Sequence, residues 1–249
     1  MIFDKYANYY DLLYYDKDYA LEAEYISQII KKYGEGTNTI LDLGCGTGRH
    51  AELLTKKGFY VQGVDMSKKM IEHAKKRSEN NNKLNFTVGN IQDFNFNKQY
   101  DTITALFHVM SYQNDDECVN KCLSNIYKHL KNNGIFVFDC WYGPAVLLQQ
   151  PEIRVKRLEN ENVKLVRIAE PVLRENENIV EVHYDIFIKN KEDNNIFEIK
   201  EIHNMRYFFE NEIRIFVKEN GFRMLDNFEF LTGNKLNRNT WSSCFVIKK

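Results

Sequence analysis

The sequence of 249 residues has no run of about 18 apolar residues, so no part of it is expected to cross a membrane as a helix. Its first residues, MIFDKYANYYD, lack both the basic segment and the apolar stretch of a secretory leader, and a cytoplasmic location is the expectation. An excess of either charge is missing too. There are 34 Lys and Arg against 35 Asp and Glu, a formal net charge of −1. No broad basic field is therefore available for a nucleic-acid backbone, although a local basic pocket is still allowed. No CxxC pair occurs among the five cysteines, Cys45, Cys118, Cys122, Cys140 and Cys244, and their number is odd. Cys118 and Cys122 fall one helical turn apart, which alone is a poor metal signal. Reduced thiols and no metal centre are expected.

What is present is 43 % hydrophobic residues, enough for a sizeable core, in a length that suits one large α/β domain with or without an insertion. A helix is predicted from about Tyr19 to Lys32. Thr39 to Leu43 is a short apolar run that ends in glycines, the pattern of a buried strand. Arg49 to Lys57 has helical spacing and stops at Gly58. Phe59 to Val64 reads as the second strand, and Ser67 can cap a helix carrying Met70, Ile71 and Ala74. Leu84–Val88, Asp101–Leu106 and Ile135–Asp139 read as strands three to five, with a helix from about Asp115 to Leu130. This β-α-β order predicts a doubly wound, Rossmann-like parallel sheet of the α/β class.

The period then changes. Val182, Tyr184, Ile186 and Ile188 alternate with His183, Asp185 and Phe187, and Val163–Ile168 and Ile196–Tyr207 are similar. Three or four antiparallel strands are expected as an insertion. A helix over Glu212–Lys218 and strands at Arg223–Phe228 and Ser243–Lys248 return the chain to the main sheet, for seven strands there. The expected division is residues 1–145 with 209–249 as one domain and 146–208 as an antiparallel β insertion over the substrate site.

The strongest local signal is Leu41-Asp42-Leu43-Gly44-Cys45-Gly46-Thr47-Gly48, which closes the first strand and opens a helix. Glycines let the backbone turn tightly against a ligand, and the helix N-terminus offers free N–H groups. A dinucleotide fold asks for G-x-G-x-x-G, but Arg49 stands where the third glycine would be. The spacing instead resembles the first motif of class I S-adenosylmethionine-dependent methyltransferases. Asp65, 21 residues after Gly44, can accept hydrogen bonds from both ribose hydroxyls; its alternative is to cap the next helix beside Ser67. Met66 can pack on the adenine face. Gly89-Asn90-Ile91-Gln92-Asp93-Phe94 resembles the segment that reads adenine in these enzymes, with Asn90 in place of the usual first Asp. Asp93 either touches the ligand or caps a turn.

The resemblance narrows further. Tyr10-Asp11-Leu12-Leu13-Tyr14 with Lys17-Asp18-Tyr19, His50 after the glycine loop, Ser111-Tyr112, Trp141-Tyr142-x-Pro144, Glu181-Val182-His183-Tyr184 and Glu201-x-His203 are similar to the N,N-dimethyltransferases of nucleotide-linked amino deoxysugars. The chain departs from that pattern at Phe107-His108-Val109-Met110, usually small residues, and at Asn239–Cys244, usually glycine-rich. The resemblance implies S-adenosylmethionine as cofactor and a small-molecule acceptor, in a protein that can be a homodimer. It assigns the cofactor to Asp42, Gly44, Cys45, Gly46, Gly48 and His50, to Asp65 and Met66, to Asn90, Ile91 and Leu106, and to Tyr6 and Tyr10. Tyr14, Tyr112, His108 and His183 are the catalytic candidates. Trp141, Tyr142 and His203 are the acceptor-binding ones, with Arg154, Arg157 and Arg206 available to a diphosphate or, more simply, forming a solvated face. The glycine motif alone also admits another small amine or hydroxyl acceptor, or a non-catalytic cofactor-binding subunit. The absence of an N/D-P-P-[YF] signature after the fourth strand argues against methylation of nucleic-acid bases.

Overall fold

The computed structural model describes residues 7–249; Tyr6 lies outside them. Among these residues no helix is long and apolar enough to cross a membrane.

The main sheet begins with β1 (Thr39–Leu43), β2 (Tyr60–Asp65), β3 (Leu84–Val88), β4 (Tyr100–Ala105) and β5 (Leu130–Tyr142), which lie parallel in the order β3-β2-β1-β4-β5. At its far side β11 (Ser242–Lys248) runs antiparallel to β5, and β10 (Arg223–Glu229) pairs with β11. The helices α2 (Tyr19–Tyr33), α3 (Arg49–Lys56), α4 (Lys68–Ser78), α5 (Asp116–His129) and α7 (Glu210–Glu219) belong to this part of the chain. Side-chain alternation sorts its core. Leu41, Leu43, Phe136, Phe138 and Phe245 fall in one buried cluster, and Ile40, Ile135, Val137 and Val246 in another. Both faces are thus covered, as a parallel sheet requires. Phe136, Phe138 and Phe245 stack with centroids 4.8 and 5.4 Å apart.

The expected antiparallel insertion is a meander of β6 (Arg154–Glu159), β7 (Val163–Arg174), β8 (Ile179–Asn190) and β9 (Ile196–Phe208). It is continuous with the main sheet. Beyond the end of β4, β5 runs on, and Trp141 and Tyr142 pair with Tyr207 and Phe208 of β9 while Trp141 still pairs with Ser242 of β11. The insertion therefore occupies the edge of β5 that β4 has vacated, directly above the C-terminal ends of the parallel strands, where open α/β sheets bind ligands.

One strand starts earlier than expected, and two helices have no counterpart in the sequence reading. β5 starts at Leu130, not Ile135: Leu130 pairs with Tyr100 and Ile135 with Thr102, so the Asn132–Gly134 turn is looped out of a single strand. α6 (Gly143–Gln149) starts with Pro144 in its first turn, where a missing N–H costs nothing. α1 (Ala7–Leu13) is short and carries its apolar residues without a long periodic run.

Candidate functional site

A cavity of about 360 Å³ opens between the glycine loop and the insertion, within the range of small-molecule sites. Its floor is local in sequence. β1 delivers the loop, and backbone φ angles of +63° at Gly44 and +54° at Gly46 are values that β-carbons resist. At Gly44 a β-carbon would stand 2.4 Å from a methyl of Val109. At Gly46 it would meet only the Tyr10 ring, at 4.0 Å, so the backbone there borders open space. Asp65, at the end of β2, accepts from the Gly46 N–H and the Ser67 N–H, each at 2.9 Å. Burial raises its carboxyl, and these two backbone donors oppose the rise. One side chain thereby sets the loop and the entry to α4, whose cap is Ser67, accepting from Met70 N–H. Asp65 thus fixes the loop and the entry to α4 and also lines the cavity.

α1 crosses this floor. Asp11 accepts from the Thr47 hydroxyl at 2.8 Å and from Arg77 at 2.6 Å, and lies 3.3 Å from Arg49. That triple contact brings Tyr10 and Tyr14 onto the cavity, their rings 4.8 Å apart, with Tyr14 edge-on to Phe107 at 5.1 Å. Lys17 lies 4.1 Å from the other aromatic centre, the Phe107 ring.

The roof comes from the insertion and the turn after β4. Tyr112 ends a 3-10 turn (Val109–Tyr112), and its hydroxyl lies 2.8 Å from His203 Nδ1 on β9. His203 Nε2 lies 3.0 Å from Glu201 Oε2. Burial first, and then the negative charge of neighbouring groups including Glu201 and Asp65, pushes the Tyr112 phenol far up, so it stays protonated.

Of the residues assigned from the sequence, the structure gathers Tyr10, Tyr14, Gly44, Cys45, Gly46, His50, Asp65, Met66, Asn90, Ile91, Leu106 and Tyr112 around this one cavity. Others lie elsewhere. Asp42 is 2 % exposed and faces Thr104, whose hydroxyl donates to it at 2.8 Å; burial raises its carboxyl to about 6. Gly48 faces the Phe86 ring beneath the loop, a packing position. His203 stands behind Tyr112 and not on the wall. His183 pairs in register with Ile202, so strand alternation turns it to the opposite face from His203. There it contacts Glu181 at 2.6 Å with 39 % of its side chain exposed. Trp141 packs edge-on to Trp241 at 6.0 Å, and Tyr142 is buried at the start of α6; neither lines the cavity. His108 turns toward the buried Asp139, its Nδ1 2.8 Å from a carboxylate oxygen, while its backbone N–H donates to both carboxylate oxygens at 3.2 Å. Burial alone would raise the Asp139 carboxyl; the charge and hydrogen bonds of His108 outweigh it and hold the group below its usual range. Asp93 closes a turn on Asn90, and the Asn90 side-chain oxygen accepts from Gln92 N–H at 3.1 Å. Arg206 is 5 % exposed, paired with Asp116 and Glu212 and set over Phe208 and Phe216. Those contacts occupy it within the fold. Arg157 pairs with Val166 on the face of the insertion that also carries Phe187.

The sequence reading passed over Tyr19, Arg49, Phe107, Gln113 and Asn204, all on the wall. In the sequence Lys17-Asp18-Tyr19 carries only the family resemblance, and Phe107 only a departure from it. Tyr19 is pinned by α2, capped by Asp18, and by its ring contact with His50 at 4.9 Å. His50 itself is held by Glu22 at 2.7 Å. The Tyr19 hydroxyl and the Asn204 side-chain oxygen are buried without hydrogen-bond partners among the described residues. Two orphaned polar atoms, a loop bordering open space and a carboxylate on the second strand together fit a nucleoside bearing a polar amino-acid tail.

Residues 40–134 match the family described as methyltransferase domain. A dTDP-3-amino-3,4,6-trideoxy-alpha-D-glucopyranose N,N-dimethyltransferase of Streptomyces venezuelae is 24 % identical over 93 % of this chain and 94 % of its own length. A dTDP-4-amino-2,3,4,6-tetradeoxy-D-glucose N,N-dimethyltransferase of Saccharopolyspora spinosa is 25 % identical over 91 % of this chain and 87 % of its own. An S-adenosylmethionine-dependent methyltransferase from Clostridium acetobutylicum shares the fold, with a TM-score of 0.83 at 24 % identity over 100 % of this chain and 99 % of that one.

Proposed function

We propose that this chain, whose residues 40–134 match the methyltransferase-domain family, is an S-adenosylmethionine-dependent methyltransferase that acts on the amine of a nucleotide-linked amino deoxysugar. The observation that carries the reading is the end-to-end similarity to two amino-sugar N,N-dimethyltransferases, extending through the insertion that roofs the cavity. A relative sharing only the glycine loop would say nothing of the acceptor.

The cofactor supplies a methyl group on a positively charged sulfur, which leaves as a neutral thioether. The protein's task is to hold the two partners in line and keep water out. Asp65 takes the ribose hydroxyls on the oxygen lone pairs that Gly46 and Ser67 leave free. Met66 and Ile91 border the base, and Asn90 reads its edge. The Tyr19 hydroxyl and the open edge of the loop beside Gly46 hold the amino-acid tail. Tyr10 and Tyr14, brought down by Asp11, close the site from the side of α1. Tyr112 faces the acceptor amine, and the 3-10 turn that carries it is fastened to β5 by Trp141 N–H donating to Ser111 at 3.0 Å. The division into a cofactor domain (1–145 and 209–249) and a covering insertion (146–208) is part of the same reading, as are a cytoplasmic location and a homodimer.

Incubation of the protein with S-adenosylmethionine and a panel of dTDP-linked 3-amino and 4-amino deoxysugars, followed by mass spectrometry, tests it. Gain of one or two methyl groups is expected. No gain across the panel, with the cofactor still bound in calorimetry, would reject the sugar and leave another small acceptor.

A further inference from the structure

An amine that arrives as an ammonium has no lone pair to attack with, so a proton must leave before the methyl can move. Among the described residues, the group that faces the acceptor in the reading above is the Tyr112 phenol, and burial keeps it protonated, with no charge of its own to take up a proton. What stands behind it changes that. Tyr112 Oη, His203 Nδ1, His203 Nε2 and Glu201 Oε2 form a chain with contacts of 2.8 and 3.0 Å. His203 is 3 % exposed, and the Glu201 side chain 8 %. The cross-strand pair of Val182 with His203, and of Tyr184 with Glu201, puts both links on one face of β9, and the Tyr184 ring stands edge-on to the imidazole at 4.8 Å. A buried carboxylate, an imidazole and a hydroxyl in sequence is the arrangement by which a weak hydroxyl is made able to take up one proton while giving away another.

Building on the amino-sugar reading, we infer that Tyr112, His203 and Glu201 form a proton relay that deprotonates the acceptor ammonium. The ammonium N–H bond breaks as a new O–H bond forms on Tyr112. The proton already on Tyr112 passes to His203 Nδ1. The positive charge that leaves the amine thus reaches the imidazole, where Glu201 accepts the Nε2–H and stabilises it. No net charge is created in the cavity, and the phenol is never required to stand as a phenolate. The direction requires the resting imidazole to carry its proton on Nε2, with Nδ1 accepting from Tyr112. Glu201 is a positioning residue in this scheme, because it selects that tautomer and does not touch the acceptor. His183 has a carboxylate neighbour too, but it lies on the other face of the sheet and cannot enter the chain. Among the described residues, Tyr184, Tyr14, Glu201 and Asp65 bear on Tyr112 through their charge.

The test has two arms on the full chain. In the first, Tyr112→Phe and His203→Gln are assayed with a dTDP-linked 3-amino deoxysugar between pH 7 and 9.5. At pH 7 each lowers kcat by about a hundredfold, the low end of general acid–base effects. The deficit shrinks to a few-fold as the pH approaches the acceptor amine's own value, about 8 to 10 for aliphatic amines, where the amine arrives already neutral. Glu201→Gln shows the same trend with a smaller deficit. A deficit that stays constant with pH would overturn the relay and leave the amino-sugar reading intact. Should His203→Gln fail to fold, Tyr112→Phe, which removes one oxygen, decides this arm alone. In the second arm, nitrogen NMR of the histidine rings in the protein without acceptor finds the His203 proton on Nε2. A proton on Nδ1 would overturn the relay whatever the acceptor turns out to be, and a wild type that methylates none of the sugars would overturn the amino-sugar reading while leaving this second arm to judge the relay.

Discussion

The floor of the cavity joins residues that are close in sequence, Gly44 to His50 and Asp65 to Met70, whereas its roof joins Tyr112 to His203 across 91 positions. The floor is fixed by backbone geometry: positive φ angles, a strand end, a carboxylate holding two N–H groups. The roof is fixed by register, since only the pairing of β8 with β9 decides whether a histidine faces the site or the solvent. A one-residue slip would exchange the positions of His203 and Ile202 without changing a single motif. Local geometry is thus tolerant of distant change and intolerant of a changed residue, while the roof has the opposite sensitivity.

The largest effect is expected on the floor. Gly44→Ala forces a β-carbon onto a left-handed backbone and against Val109, and S-adenosylmethionine affinity in calorimetry should fall by about a hundredfold or more, with a lowered melting temperature. Affinity within threefold of wild type would break the claim that backbone geometry makes the floor. On the roof, His203→Gln should cost about a hundredfold in kcat at pH 7 with cofactor affinity nearly unchanged, and His183→Gln should stay within twofold in both. Equal losses from the two histidines would show that face, and therefore register, does not matter. Asp65→Ala comes next: the loss of its hydrogen bonds, about 1–3 kcal/mol each when a buried partner is stranded, predicts at least a tenfold weaker cofactor.

The smallest functional effect belongs to Asp42. Its buried carboxyl titrates at about 6, above the unfolded value of about 3.9, so the folded chain binds that proton more tightly. Its contribution to stability is then fully present at low pH and is lost as pH rises from about 4 to 6. Asp42→Asn keeps the Thr104 bond, removes that slope and gains stability relative to wild type at pH 7, by at most about 3 kcal/mol, in denaturant titrations compared at pH 4.5 and 7. An unchanged slope would mean that the burial of Asp42 carries no titration.

The same contrast explains what could be read in advance. The parallel sheet, the glycine loop and the position of Asp65 follow from periods and spacings within about thirty residues. The side-chain alternation of β8 was legible as well, but not which residue of β9 would face it. His183 and His203 therefore looked equivalent until pairing turned them apart. Asp42 looked like part of the binding motif because it sits two residues before Gly44; strand alternation sends it inward to Thr104 instead. Tyr19 and Phe107 escaped because nothing local marks a wall residue. Tyr19 is placed by its ring contact with His50, and Phe107 by a left-handed backbone at +65° followed by His108 at +64°.

A crystal structure with S-adenosylhomocysteine and a dTDP-linked amino deoxysugar tests the central claim most directly. The account predicts the ribose on Asp65, the amino-acid tail at Gly46 and Tyr19, and the sugar nitrogen between the sulfur and the Tyr112 hydroxyl. A nucleoside bound away from Asp65, or a sugar nitrogen out of reach of Tyr112, would contradict it.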